Sequence, residues 1–179
     1  DEIRLVADVT LTAVDNSDGD SSPSLPDGPN GLPVITSEIT LEGNNHTIAR
    51  GAGSPAFRIL LVGGSGELTL QNATVSGGGG AAFVNGGGAI ANTFGGFVAL
   101  DNANLSRNSV DGVGGYGGGF LNRGDATLTN STISGNSSAG NGGGISNYDT
   151  LTLSNSTVSG NSAAGNGGGI DNPGYRTAI

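Results

Sequence analysis

Cysteine, tryptophan, methionine and lysine are all missing from this 179-residue chain. Without cysteine no disulfide can carry stability, and no Cys/His constellation can be built. Aromatic residues make up only 4% of the sequence, so large rings cannot fill a core, which must be thin and aliphatic. Six arginines face fifteen acidic residues, for a net charge of −9, which argues against nucleic acid or an anionic membrane surface as partner because both need clustered positive charge. The one histidine, His46, makes neither a triad nor a metal site. No apolar run approaches the roughly 20 residues of a membrane helix, so membrane insertion is not expected. The 3.6-residue spacing of an amphipathic helix is also missing throughout. The glycine runs lack the lysine and following helix of a phosphate loop.

What is abundant is glycine, at 36 positions, accompanied by serine, threonine and asparagine. Such a composition suits disorder, except that valine, isoleucine and leucine return at fixed offsets. The clearest case is NSTISGNSSAGNGGGISN at 130–147, restated as NSTVSGNSAAGNGGGIDN at 155–172 with three changes in eighteen positions. Ile133 becomes Val158, Ser138 becomes Ala163, and Ser146 becomes Asp171. Two looser copies precede these, LTLQNATVSG at 68–77 and ALDNANLSRNS at 99–109. The spacings from Leu70 to Leu100, Leu128 and Leu153 are 30, 28 and 25 residues, and the extra residues fall in glycine-rich stretches, where a repeat scaffold tolerates insertions.

Aligned in this way, the apolar residues form columns: Leu70, Leu100, Leu128, Leu153; Val75, Leu105, Ile133, Val158; Ile90, Phe120, Ile145, Ile170. Stretches such as TLTLS at 150–154 alternate with period 2, the mark of a strand with one buried face. Asparagine forms columns too. Asn72, Asn102, Asn130 and Asn155 follow the first strand, Asn108, Asn136 and Asn161 the second, and Asn92, Asn122, Asn147 and Asn172 the third. Stacked at the ~4.8 Å strand spacing, asparagines can bond to one another in a ladder, and asparagine tolerates the left-handed backbone of a tight corner. Three corners predict three strands per coil.

With GGGI-x-N followed by L-x-L-x-N-S-T-I-S-G-N as its unit, the stretch from about Ile39 to Asn172 resembles the right-handed parallel β-helix repeats of Gly/Asn-rich bacterial surface and secreted proteins. The resemblance implies an all-β parallel β-helix (β-solenoid) of about 25–30 residues per coil. It implies no single activity, because that family includes adhesins, surface proteins and polysaccharide-cleaving enzymes. Leucine-rich repeats would need L-x-x-L-x-L, and calcium-binding nonapeptide coils G-G-x-G-x-D; both motifs are missing.

The domain division expected is N-terminal strands at 1–14, an acidic Pro/Gly loop at 15–31, coils at 32–172 and a tail at 173–179. A solenoid end exposes backbone and core residues and is normally capped, yet the terminal PGYRTAI offers no cap. Open ends template further strands, so a head-to-tail homopolymer is expected, with Ile3, Leu5, Val9 and Leu11 at one end and Tyr175 and Ile179 at the other. The chain opens at Asp1 rather than methionine, leaving room for a leader removed on export. The expectation is a non-enzymatic extracellular or cell-surface structural protein with no cofactor.

Three local features qualify that reading. DNSDGD sets Asp15, Asp18 and Asp20 where carboxylates can surround Ca²⁺, although an EF-hand would need a further glycine and a distal glutamate. Polysaccharide lyases of similar fold place acidic metal ligands beside a basic residue, and Arg123, Asp125 and Asp149 fall near one strand entrance, so the rival expectation is a module that binds or cleaves glycans. Of six N-x-S/T sequons, Asn45 and Asn104 lie outside the ladder columns and are the glycosylation candidates. The TLT pairs at 127–129 and 150–152 do not continue into a threonine array, since Ala99 and Glu67 interrupt it.

Overall fold

The computed structural model describes residues 1–15, 28–80, 86–112 and 114–173, and no helix occurs among them. The alternating stretches become short strands. The chain opens with β1 (Glu2–Arg4) and β2 (Val9–Leu11), then β3 (Glu38–Glu42) and β4 (Thr47–Arg50). The next turn is complete, with β5 (Leu60–Val62), β6 (Glu67–Gln71), β7 (Thr74–Ser76) and β8 (Gly79–Gly80). The same order returns in β9 (Ile90–Asn92), β10 (Phe97–Asp101), β11 (Asn104–Ser106) and β12 (Ser109–Val110). It returns again in β13 (Phe120–Asn122), β14 (Asp125–Thr129), β15 (Thr132–Ser134) and β16 (Ser137–Ser138). The last described turn holds β17 (Ile145–Asn147), β18 (Leu151–Ser154), β19 (Thr157–Ser159) and β20 (Ser162–Ala163), followed by β21 (Ile170–Asp171).

Corresponding strands of successive turns pair in parallel. Sheet 1 runs β1-β3-β6-β10-β14-β18 and sheet 2 runs β2-β4-β7-β11-β15-β19. Sheet 3 is β8-β12-β16-β20 and sheet 4 is β5-β9-β13-β17-β21. A full turn therefore carries four strands among the described residues, one more than the three expected. The additional strand has two residues per turn, too few for alternation to reveal. The winding also starts earlier than expected: Ile3 pairs with Leu41 and Val9 with Ile48, so residues 1–14 form the first rung rather than a separate element.

The register stacks like on like. Leu41, Leu70, Leu100, Leu128 and Leu153 are successive partners, as are Ile48, Val75, Leu105, Ile133 and Val158. Leu60, Ile90, Phe120, Ile145 and Ile170 make the third column. Apart from Ile170, these side chains fill one continuous interior core. Because the period is 2, a one-residue slip would turn every column outward, which fixes the pairing.

Each corner has its own chemistry. Between sheets 1 and 2 stand Asn72, Asn102, Asn130 and Asn155, with φ of 50°, 50°, 51° and 50°. Between sheets 2 and 3 the left-handed position is Gly77, Gly135 or Gly160, and Arg107 at φ 55° takes it in one turn. Before sheet 4 come Gly87, Gly117, Gly142 and Gly167, at φ of 71°, 63°, 65° and 63°. A Cβ at any of these would lie 2.2–2.4 Å from the carbonyl oxygen three residues on, so the first glycine of each GGG or GGA run is fixed both by its φ and by this close approach. In sheet 4 the strands β5, β9, β13 and β17 are buried on both faces. Leu61, Ala91 and Leu121 form a second small cluster outside it.

Candidate functional site

Two asparagine ladders run through the interior. In the corner between sheets 4 and 1, the side-chain amide of Asn92 donates to Asn122 Oδ1 at 2.9 Å, Asn122 to Asn147 at 2.8 Å, and Asn147 to Asn172 at 3.3 Å. The same amides hold the adjoining turn, through the carbonyls of Gly96, Asp125, Thr150 and Asp149. In the corner between sheets 2 and 3, Asn108 donates to Asn136 Oδ1 and Asn136 to Asn161 Oδ1, each at 3.0 Å. There Oδ1 also accepts the backbone N–H of the preceding turn: Gly78 to Asn108, Asn108 to Asn136, Asn136 to Asn161. From rung to rung each side-chain amide donates to the oxygen of the next turn, and in the second ladder Nδ2 also donates back to the preceding turn, Asn108 to Val75 O, Asn136 to Leu105 O and Asn161 to Ile133 O. Asn122, Asn136 and Asn147 are bonded on both sides and hold successive turns at a fixed pitch, while Asn92 Oδ1 at the head of its ladder is buried without a partner.

The Asn72 column, expected to ladder like the other two, makes one rung among the described residues. Asn102 donates to Asn72 Oδ1 at 2.7 Å, and Asn72 continues to the Glu42 carboxylate. Among the described residues Asn130 and Asn155 add no side-chain rung. This column sits at an outward left-handed corner, where asparagine is selected for its backbone. The buried ladders are those of the Asn92 and Asn108 columns.

On the outside of sheet 4 lies the most chemically varied surface. The rings of Tyr116 and Tyr148 meet edge to face, 5.8 Å between centroids at 89°. The Arg123 guanidinium carbon is 5.6 Å from the Tyr148 centroid. Both tyrosines pack on the Leu61, Ala91 and Leu121 cluster. Burial pushes the Tyr148 phenol above its ordinary pKa and does the same to the carboxyl of Asp171, on the last rung of this column. The sequence set Arg123 with Asp125 and Asp149; the structure turns its guanidinium onto Tyr148, a long-range contact that no spacing rule signals.

Arg58 was also not legible as special. Its side chain is fully buried, donating from Nε and Nη2 to Gly86 O at 3.1 and 2.8 Å and from Nη1 to Asn30 Oδ1 at 3.1 Å. Burial, helped by the charge of Arg123, lowers its pKa to about 9, which leaves it a cation at neutral pH. It fastens the Asn30 segment to the glycine-rich turn that precedes β9.

A family model described as "Right handed beta helix region" matches residues 58–174, more than half of the chain. The chain belongs to the right-handed β-helix family. No curated protein and no solved structure matches it. The matched segment of this β-helix begins at Arg58 and takes in every complete turn. The fold of the family suits a structural or a polysaccharide-related module.

The remaining candidates distribute unevenly over the β-helix. Asp18, Asp20, Tyr175 and Ile179 lie outside the described residues. Asp15 donates its backbone N–H to Asn30 O. Among the described residues no three His, Cys, Asp or Glu side chains gather as metal ligands. Asn45 and Asn104 line one shallow groove of about 110 Å³ with Asn72, Ala73, Thr74 and Asn102. Asn45 is exposed, but the Oδ1 of Asn104 is buried without a hydrogen-bond partner, so its amide is not freely presented. Of the N-terminal apolar set, Ile3 is 48% exposed, while Leu5 and Leu11 pack against the core edge. Ile3 lines an apolar cavity of about 220 Å³ with Leu32, Val34, Ile39, Leu41 and Leu60. At the opposite end Ile170 is 37% exposed, and Leu153 and Val158 are only partly covered.

Proposed function

We propose that the chain is a non-enzymatic structural protein of the cell exterior whose turns continue from one copy to the next, head to tail, in a fibre or surface assembly. The observation that carries this reading is that, among the described residues, the same apolar columns are left partly uncovered at both ends. The column through Leu41 starts at the half-exposed Ile3 and finishes at Leu153, and the column through Leu60 opens on the apolar cavity and finishes at the half-exposed Ile170. A parallel strand edge with matching side chains on each face is self-complementary by translation, and such contacts propagate rather than close. Negative-stain microscopy and sedimentation test it. The chain should form filaments that Ile3→Lys or Ile170→Lys each abolish, leaving single folded copies. Filaments that persist in both variants, or their absence from the parent chain at high concentration, would count against stacking through these faces.

A second reading, a polysaccharide-binding or polysaccharide-cleaving module, draws support from the outer face of sheet 4. Tyrosine rings and a guanidinium side by side offer flat apolar surface and hydrogen-bond donors to a sugar ring. On this reading a glycan panel gives binding that Tyr148→Ala or Arg123→Ala weakens; retention of full binding in both removes that face from consideration. Calcium in the 15–20 loop and glycan on Asn45 belong to the same extracellular setting and are checked by calorimetric titration and intact mass.

A further inference from the structure

Asn-Gly is the dipeptide most prone to cyclise, because glycine leaves the following amide nitrogen open to attack on the asparagine side chain. Three such pairs lie in described residues. At Asn30-Gly31 the Gly31 N–H donates to Arg58 O at 2.7 Å, and Asn30 is buried. At Asn141-Gly142 the Gly142 N–H donates to Asn166 O at 2.9 Å, and Asn141 Oδ1 accepts the Asn166 N–H at 2.8 Å. Both the attacking nitrogen and the attacked amide are thus held by the next turn.

Asn166-Gly167 has the same neighbours, in AGNGGGI, and nearly the same backbone, with φ of 63° at Gly167 against 65° at Gly142. Yet among the described residues the Gly167 N–H meets no acceptor and the Asn166 side-chain amide makes no hydrogen bond, and Asn166 is exposed. Each backbone N–H of the two asparagines is bonded to the turn before, and the difference that bears on cyclisation is that a further turn lies over the first site and none among the described residues lies over the second.

We propose that Asn166 is a site of spontaneous, self-catalysed deamidation in the folded protein and that Asn141, its repeat equivalent, is protected by the turn stacked on it. The Gly167 nitrogen forms a bond to Asn166 Cγ, the Cγ–Nδ2 bond breaks, and ammonia leaves with the amide proton. Water then opens the five-membered imide to aspartate or, at the other carbonyl, to isoaspartate. No oxidant or cofactor is required. The product adds one negative charge to an already acidic chain, and the isoaspartyl form inserts an extra backbone atom into the turn that leads into β21. The chemistry needs no second copy and is independent of end-to-end assembly.

The test is incubation of the full chain in mildly alkaline buffer, dilute enough that sedimentation shows single copies, with peptide mass spectrometry assigning each gain to one residue. Asn166 should convert about fivefold or more faster than Asn141, the factor expected for losing a net backbone hydrogen bond, and the two rates should converge in denaturant. Equal rates in the folded chain, a faster Asn141, or no reaction at Asn166 while the denatured chain reacts would overturn it. Asn166→Gln, which disfavours the five-membered ring, should lose the gain without changing the melting temperature.

Discussion

Residues 130–147 and 155–172 are almost the same sequence, yet they live in different surroundings. Ile145 is wholly buried, whereas its equivalent Ile170 is 37% exposed; Asn136 is bonded on both sides, whereas Asn161 is bonded to the turn before and, among the described residues, has no rung after it. The difference comes entirely from the neighbouring turn. In a β-helix, burial is a property of the stack, and a local sequence supplies only half of each contact. The three substitutions follow the same logic. Ser138 is buried, with its hydroxyl donating to Gly115 O and accepting from Gly140 N, while Ala163 at the end of the stack makes no such bonds. Asp171 replaces the buried Ser146 where cover is thinner, at the cost of a raised carboxyl pKa.

This contrast is best broken with paired substitutions read by urea unfolding. Ile145→Asp should cost about 4 kcal/mol or more, by burying an unpaired charge, while Ile170→Asp should cost about 1 kcal/mol; similar costs would mean that the last turn is as well covered as the one before. Asn136→Ala should cost about 2–3 kcal/mol because it strands the Asn108 amide and backbone groups of two turns, and Asn161→Ala about half as much. Ser138→Ala should cost about 1 kcal/mol, with Ala163→Ser within about 0.5 kcal/mol of neutral. The smallest effect has the opposite sign: Arg107→Gly should stabilise by about 1 kcal/mol, since every other turn resolved at that corner has glycine and a left-handed arginine is strained.

The fold was legible because its signals are local and repeated. Alternation at period 2 located the long strands, and the recurrence of Leu100, Leu128 and Leu153 at the same place in each repeat gave the register, later seen as direct partners. The fourth strand was hidden, since Ser137 and Ser138 are too few to alternate. The polar columns were visible as columns but not by role: nothing in the sequence says that Asn136 points inward and Asn130 sits at an outward corner. Arg58 and the Tyr116–Tyr148–Arg123 cluster were the least legible. Each depends on side chains from different turns meeting across glycine-rich segments of variable length, and no repeat unit records that.

The direction of the ladders has a consequence for how such a gene can change. Along both buried ladders each side-chain amide is given to the oxygen of the next turn, so one such turn can follow another provided that it arrives whole. Excision or duplication of one unit, such as the near-identical pair at 130–147 and 155–172, leaves the donors still facing acceptors, whereas loss of half a unit does not. Length in this architecture is therefore set in whole steps, and recombination between neighbouring copies is a route by which a longer or shorter rod arises without a new design.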